Sequence, residues 1–458
     1  MYQVHFDKPV HVHFMGIGGI SMSGLAEILL SEGFTVSGSD MKASPLTKRL
    51  ESLGATISYC QVASNINSDI DLLVYTAAIS SENAEFVEAR RLNIPMLTRA
   101  QLLGQLMKNY KTPVAVSGTH GKTTTTSMVS EILLEADTDP TLSIGGILKS
   151  INGNLRIGKS EYFVTEACEY TNSYLSFFPK ISIILNIEED HLDFFKDIND
   201  IRNSFHSFAK LLPSDGTLII NGNIDNVDEI YEGTDCKIIK FGASEIFDYY
   251  PQNISFNEKG HVSYTLHSPY GVDNITLSVV GIHNVYNSMA AIAFADLIGI
   301  DRMHTLEAIK RFGGAERRFE EKGHLGNITI IDDYAHHPTE IKATLTAAKE
   351  YPHDKLWVVF QPHTYTRTKA FLDDFANALS IADAVILADI YAAREKNTIG
   401  ISSKDLLAKL VNNGTEAYYF PTFDEIENFI LEKCSNNDLL ITMGAGDIVN
   451  IGNALLGI

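Results

Sequence analysis

The chain has 458 residues, enough for about three domains at roughly 150 residues each. Its 45% hydrophobic and 20% charged residues are an ordinary globular balance. With 57 acidic against 36 basic residues the net charge is −21, which argues against general binding to nucleic acid or to an anionic membrane surface.

The four cysteines, Cys60, Cys168, Cys236 and Cys434, form no Cys-x-x-Cys pair. Neither a zinc site nor a disulfide framework is expected, and a reducing cytosol fits. Residues 1–7 carry no basic stretch followed by an apolar core, so no signal peptide is expected. No apolar run approaches the roughly 20 residues that span a bilayer, so no membrane insertion is expected.

A short strand over 10–15 leads into a glycine-rich turn, and a helix follows over 22–31. Its Met22, Leu25, Ala26 and Leu29 recur at helical spacing before Gly33 stops it. A strand over 34–38, a strand over 71–75 and a helix over 83–92 continue the alternation. Strands alternating with helices predict a parallel sheet covered on both faces. The unit closes in the polar, proline-containing stretch 108–113. A second unit opens on a strand over 113–116, a new glycine-rich turn and a helix over 125–134. Buried strands are expected at 162–165, 181–185 and 217–220, an alternating β-like stretch over 237–280, and a helix over 284–298. Gly313-Gly314 marks the next boundary. The third unit has strands at 328–331, 356–360, 384–387 and 439–442. The expected fold is α/β in three domains, residues 1–109, 110–314 and 315–458.

The strongest chemical signal is 116–124, Val-Ser-Gly-Thr-His-Gly-Lys-Thr-Thr, set between a strand and a helix. Glycines let backbone N–H groups turn inward around a phosphate, Lys122 can reach β- and γ-phosphates, and the Thr123 hydroxyl can bind Mg²⁺. The standard phosphate loop would need glycine where Val116 stands. The first turn, Gly16-x-Gly18-x-x-Ser21 with Asp40 after the next strand, lies near the dinucleotide fingerprint and points to some nucleotide or its diphosphate. Glu166 and Glu169 follow one strand, and Asp190, His191 and Asp193 follow another. In a parallel sheet both segments emerge beside the phosphate loop, where oxygen and imidazole ligands can hold metal ions against ATP phosphates. Glu188 and Glu189 by themselves read as a solvated acidic loop. In the third unit, 315–319 (Ala-Glu-Arg-Arg-Phe), 332–338 (Asp-Asp-Tyr-Ala-His-His-Pro) and 361–367 (Gln-Pro-His-Thr-Tyr-Thr-Arg) bring arginine and histidine to strand ends, suited to grasping phosphate or carboxylate.

Together these segments resemble the Mur ligase family over nearly the whole chain. Gly118, Thr119, His120, Gly121, Lys122, Thr123 and Thr124 match the family's ATP loop. The segment 281–287 resembles its adenine-contacting stretch, which places His283, Asn284 and Asn287 near the base. Glu316-Arg317-Arg318-Phe319 resembles its interdomain arginine motif. The resemblance implies a Rossmann-like domain that binds a UDP-sugar through Gly16, Gly18, Gly19, Ile20, Ser21 and Asp40. It also implies a central P-loop-type ATPase domain with a mixed sheet and a Rossmann-like C-terminal domain. The opening turn and the two histidine-rich loops point to the branch that joins L-alanine to UDP-N-acetylmuramate. In that reading the lactyl carboxylate attacks the γ-phosphate of ATP and the amine of L-alanine attacks the resulting acyl phosphate. Thr123, Glu166 and His191 hold Mg²⁺. Lys122 and Arg318 neutralise phosphate charge, Asp332 contacts the nucleotide, and His337 and Arg367 position alanine. A monomer or weak homodimer is expected.

Two departures stand out. Cys168 occupies a place where the family often has aspartate, and is read as an apolar filler. His206 stands where several relatives carry a carbamylated lysine, so no carbamate is expected. The nearest competing reading is the murein-peptide ligase, which usually has cysteine where this chain has Gly18. An NAD-dependent dehydrogenase would use the first glycine turn and Asp40 but leave Lys122 and Thr123 unexplained. A non-enzymatic UDP-sugar or ATP sensor would need no Glu166 and His191.

Overall fold

Val12, Phe14 and Met15 of the first strand, His11–Met15, are all fully buried, while His11 and His13 share one face and both meet Ser37 Oγ, at 2.7 and 2.9 Å. The strand lies at the centre of a five-stranded sheet in the spatial order Thr56–Ser58, Thr35–Ser39, His11–Met15, Leu72–Tyr75, Met96–Thr98. Every pairing in it is parallel, as expected for strands alternating with helices. The computed structural model describes residues 2–458 apart from 77, 78 and 394.

The second sheet is centred on Thr112–Ser117, flanked by Ile181–Ile184 on one side and Tyr162–Glu166 on the other. Thr217–Asn221 and Lys237–Phe241 extend it in parallel beyond Ile181–Ile184. Beyond Tyr162–Glu166 comes Thr141–Leu148, with Gly153–Arg156 as an antiparallel edge. The sheet is therefore mixed. The stretch expected to be β-like over 237–280 divides. Lys237–Phe241 joins the parallel sheet, and Tyr250–Phe256, His261–Ser268 and Gly271–Val280 form a separate antiparallel sheet.

The third α/β unit carries six strands in the order Glu320–Leu325, Ile328–Asp333, Leu439–Met443, Leu356–Phe360, Ala384–Leu387, Glu416–Tyr419. Only its first strand is antiparallel. Among the described residues no helix is long and apolar enough to cross a membrane.

Packing divides the molecule unevenly. One contiguous apolar cluster runs from Phe14, Leu103 and Leu106 beneath the first sheet to Phe163, Tyr174, Phe177 and Phe205 of the second unit. The join is close: a Cβ at Gly104 would collide with the backbone of Ser176. The third unit has its own clusters on the two faces of its sheet, around Ile331, Val358 and Phe375 and around Trp357, Ile386 and Ile430.

Candidate active site

Thr112–Ser117 delivers the chain to a loop that two glycines alone can form. Gly118 has φ +143° and a Cβ there would lie 3.0 Å from Leu185 Cβ; Gly121 has φ +84° and a Cβ would lie 2.8 Å from Asn287 Oδ1. Both conformations are open to glycine and costly for other residues. Gly121 is also the N-cap of the helix Lys122–Glu135. The helix starts three residues earlier than the sequence predicts, because the left-handed glycine launches it despite four consecutive β-branched threonines. The neighbouring loop braces this turn. His120 N–H donates to Asn186 Oδ1 (2.7 Å), Asn186 Nδ2 donates to the His120 carbonyl (3.0 Å), and Glu188 N–H donates to Thr119 Oγ1 (2.9 Å).

Register places the acidic residues as expected. Glu166 pairs with Val116, and Ile184 with Ser117, so the segments after all three strands leave the same carboxyl edge. Lys122 Nζ turns back to Glu169 (2.9 Å) and to the Gly118 and Thr119 carbonyls (2.5 and 3.1 Å). Burial opposes the ammonium charge, but Glu169 outweighs it and holds the pKa above the ordinary lysine value. Glu166 accepts a hydrogen bond from Gly145 N–H (2.6 Å), and a Cβ at Gly145 would fill the space its carboxylate occupies. His191 sits at φ +53°, and its Nε2 lies 3.8 Å from Glu169 and 3.7 Å from Asp190. Burial lowers its pKa despite those carboxylates, which leaves a neutral ring suited to a metal. Burial pushes the Cys168 thiol up to about 11, consistent with an inert filler.

Two loops of the third unit close over this edge. After Ile328–Asp333, His337 caps the helix Pro338–Ala348, and Glu340 from its first turn lies 3.1 Å from His120 Nδ1. Thr339 Oγ1 donates to Glu188 (2.8 Å), so Glu188 is an interdomain partner and not a solvated loop residue. The rings of His120 and His337 are 4.9 Å apart. After Leu356–Phe360, Arg367 reaches Asp190 at 2.9 Å. Thr364, at φ +67°, is held by its N–H to the Tyr391 carbonyl (2.9 Å).

Two cavities flank the loop. One, of about 460 Å³, is lined by Gly121, His283, Asn284, Asn287, Arg318 and Asp333 among others. Burial pushes the His283 pKa down to about 4. The other, of about 570 Å³, is lined by His191, Asp190, His363, Arg367, Tyr391 and Glu395 among others. Asp332 is not brought to either. It is fully buried in the sheet, paired with Arg317 at 2.8 Å and accepting from Thr442 at 2.7 Å. The next residue, Asp333, lines the first cavity, because alternation along a strand sends neighbours to opposite faces.

At the first turn, Gly16 and Ile17 N–H donate to the Ser39 carbonyl (2.8 and 3.1 Å), and Gly18 N–H donates to Asp40 Oδ2 (2.8 Å). A side chain at Gly18 would strike that carboxylate. Arg99, which the sequence reading passed over, donates to Ser21 Oγ (3.0 Å). Burial lowers its pKa, and among the described residues no carboxylate forms an ion pair with it. An isolated arginine opening a helix carries no motif that would single it out.

Three family models match in order: Mur ligase family, catalytic domain, over 11–111; Mur ligase middle domain over 116–295; and Mur ligase, glutamate ligase domain, over 317–446. The chain is 61% identical over 457 residues to the UDP-N-acetylmuramate--L-alanine ligase of Agathobacter rectalis, covering 100% of both chains. Among solved structures, a UDP-N-acetylmuramate-alanine ligase from Thermotoga maritima matches with a TM-score of 0.80 at 31% identity, covering 98% of each chain. A murein peptide ligase from Psychrobacter arcticus matches with a TM-score of 0.72 at 26% identity, again over 98% of each chain. With three models placed in sequence order and a full-length relative at this identity, the chain belongs to the Mur ligase family and has its three-domain α/β fold.

Proposed function

We propose that the chain joins L-alanine to the lactyl carboxylate of UDP-N-acetylmuramate at the expense of ATP, in the cytoplasmic synthesis of peptidoglycan precursors. The observation that carries this reading is the 61% identity, over 100% of each chain, to a curated ligase of that name. The domain boundaries follow the sequence reading, at 109/110 and 314/315, and the chain acts as a monomer or weak homodimer.

Amide formation from a free carboxylate is uphill in water, so the acid is activated as an acyl phosphate. Phosphoryl transfer asks chiefly for positioning and charge neutralisation. ATP takes the cavity beside Gly121, with its base near His283, Asn284 and Asn287. Its phosphates take the place where Lys122 now meets Glu169, and Arg318 adds charge from the C-terminal domain. Asp333 replaces Asp332 as the acidic residue facing the nucleotide. UDP-N-acetylmuramate is held by the loop around Gly16 to Ser21, with Asp40 and Arg99 beside it. The Arg99 guanidinium, which has no carboxylate partner among the described residues, is matched to its diphosphate. L-Alanine enters the second cavity, where Arg367 orients its carboxylate and His337 lies close by.

Thr123, Glu166 and His191 fit a magnesium ion as a loose set of two oxygens and one neutral imidazole. Mg²⁺ keeps several waters and takes the rest of its ligands from substrate phosphates, so no closed protein cage is needed. When bound, the ion screens the negative charge of the phosphate groups.

Phosphate release from ATP and Mg²⁺ with UDP-N-acetylmuramate tests the assignment, comparing L-alanine with the L-Ala-γ-D-Glu-diaminopimelate tripeptide. Release that depends on alanine is the expected result. Release only with the tripeptide would place the chain in the recycling branch, and release with neither acceptor would overturn the substrate.

A further inference from the structure

His120 of the phosphate loop, Glu188 of the adjoining loop and His337 of the C-terminal domain converge outside the magnesium set. One ligand atom from each lies within 4.8 Å of the others. His337 is 4% exposed, and among the described residues its Nε2 has no hydrogen-bond partner; His120 Nε2 is also buried, with Glu188 Oε2 3.5 Å away, too far for a good hydrogen bond. A buried polar atom left unsatisfied is costly, and two that border one carboxylate mark a place for a shared partner.

The surroundings resemble those of a metal site one shell out. Glu340 lies 3.1 Å from His120 Nδ1, which fixes the ring with its Nε2 turned to the cluster. Thr339 Oγ1 donates to the Glu188 carboxylate. Carboxylate-to-histidine and hydroxyl-to-carboxylate bonds of this kind orient metal ligands. The chief adjustment is at His337, whose Nδ1 accepts a long contact from Thr339 N–H (3.3 Å). Metal at Nε2 moves the ring proton to Nδ1 and gives up that bond. Tetrahedral zinc bonds nitrogen at about 2.0 Å, so the three ligand atoms must draw in by roughly an ångström.

We propose that His120, Glu188 and His337 bind a transition-metal cation of the Zn²⁺ class, which clamps the C-terminal domain onto the phosphate loop. Two imidazoles and one carboxylate with a remaining open position suit zinc, whereas magnesium prefers oxygen ligands. The clamp joins two domains that otherwise meet here through side-chain hydrogen bonds.

The test is titration of the full-length, nucleotide-free chain with Co²⁺, the visible absorption of four-coordinate cobalt serving as the readout. Melting temperature with and without Zn²⁺ is measured in parallel. One cobalt per chain with strong visible absorption is expected, and Zn²⁺ should raise the melting temperature. Glu188→Gln and His337→Gln should each remove the absorption band. Thr339→Val, a milder change that leaves all three ligands, should weaken binding roughly tenfold. His191→Gln should leave the band in place. Weak six-coordinate absorption, or a band lost in His191→Gln but kept in His337→Gln, would put the ion at the magnesium set and overturn the proposal. So would the absence of any band in the wild-type chain.

Discussion

Arg367 and Asp190 form a buried ion pair across two domains, with guanidinium Nη2 and Nε 2.9 and 3.2 Å from the same carboxylate oxygen. Burial opposes the Asp190 charge, yet Arg367 holds the carboxyl well below the usual carboxylate range. In the proposed reaction the alanine carboxylate competes for the same guanidinium. Arg367→Ala is therefore expected to raise the KM for L-alanine roughly tenfold or more, the loss of one charge-assisted hydrogen bond. The KM for ATP should change little. Steady-state kinetics with each substrate varied in turn check this, and an unchanged alanine dependence would remove Arg367 from the amino-acid site.

Lys122 and Glu169 satisfy one another at the phosphate loop, 2.9 Å apart. Lys122→Ala should lower kcat by roughly 10²-fold or more, the scale for losing one donor to transition-state charge. It should also lower the melting temperature, because Glu169 is left buried and unpaired. Adding Glu169→Gln should restore the melting temperature without restoring turnover. If the double variant recovered turnover, Lys122 would have only a structural role.

In metal-free buffer His120 gives the fold a pH dependence, its Nε2 proton being the one that a bound cation would displace. Burial opposes its charge, but Glu340 and Glu188 outweigh that and raise its pKa to about 9 from an ordinary 6.5. The folded state thus holds the proton more tightly than the unfolded chain. The stabilisation is complete below pH 6.5 and is lost as pH rises to about 9. The melting temperature of the wild-type chain should exceed that of His120→Gln at pH 6.5, and the gap should narrow steadily towards pH 9. A gap independent of pH would mean that the ring is neutral when folded.

Arg99 stands near the first glycine turn, and among the described residues it has no carboxylate partner. Burial works against its charge and its one hydrogen bond to Ser21 offsets little of that, so Arg99→Met should hold or raise the melting temperature. The same change should raise the KM for UDP-N-acetylmuramate roughly tenfold, with the alanine and ATP dependences nearly intact. Isothermal titration with UDP-N-acetylmuramate gives a direct reading, and undiminished affinity would detach Arg99 from the diphosphate.

Legibility in the sequence followed the range of the interaction. The phosphate loop was readable because Gly118, Gly121 and Lys122 act within one turn. The parallel sheets were readable because buried strands such as Leu356–Phe360 are continuous apolar runs. Thr141–Leu148 escaped because Gly145-Gly146 interrupts its alternation, and Glu320–Leu325 because an exposed edge strand of charged residues has no apolar face. Asp332 and Asp333 could not be told apart without knowing which side of the sheet each faces. Glu188, Glu340, Asp190 and Arg99 draw their roles from partners on distant segments, and no spacing rule reaches across domains.

The continuous apolar core beneath the first two sheets has a thermodynamic consequence. Between the central and C-terminal domains the ion pairs and side-chain hydrogen bonds among the described residues include Lys149 with Glu320, His120 with Glu340, Thr339 with Glu188 and Asp190 with Arg367. Hydrophobic burial couples the first two domains into one melting unit, whereas screened charge contacts couple the third only weakly. Scanning calorimetry should therefore resolve two transitions and not three, and added salt should draw them further apart. Hinge motion during the catalytic cycle would then belong to the C-terminal domain, swinging against a rigid two-domain anvil.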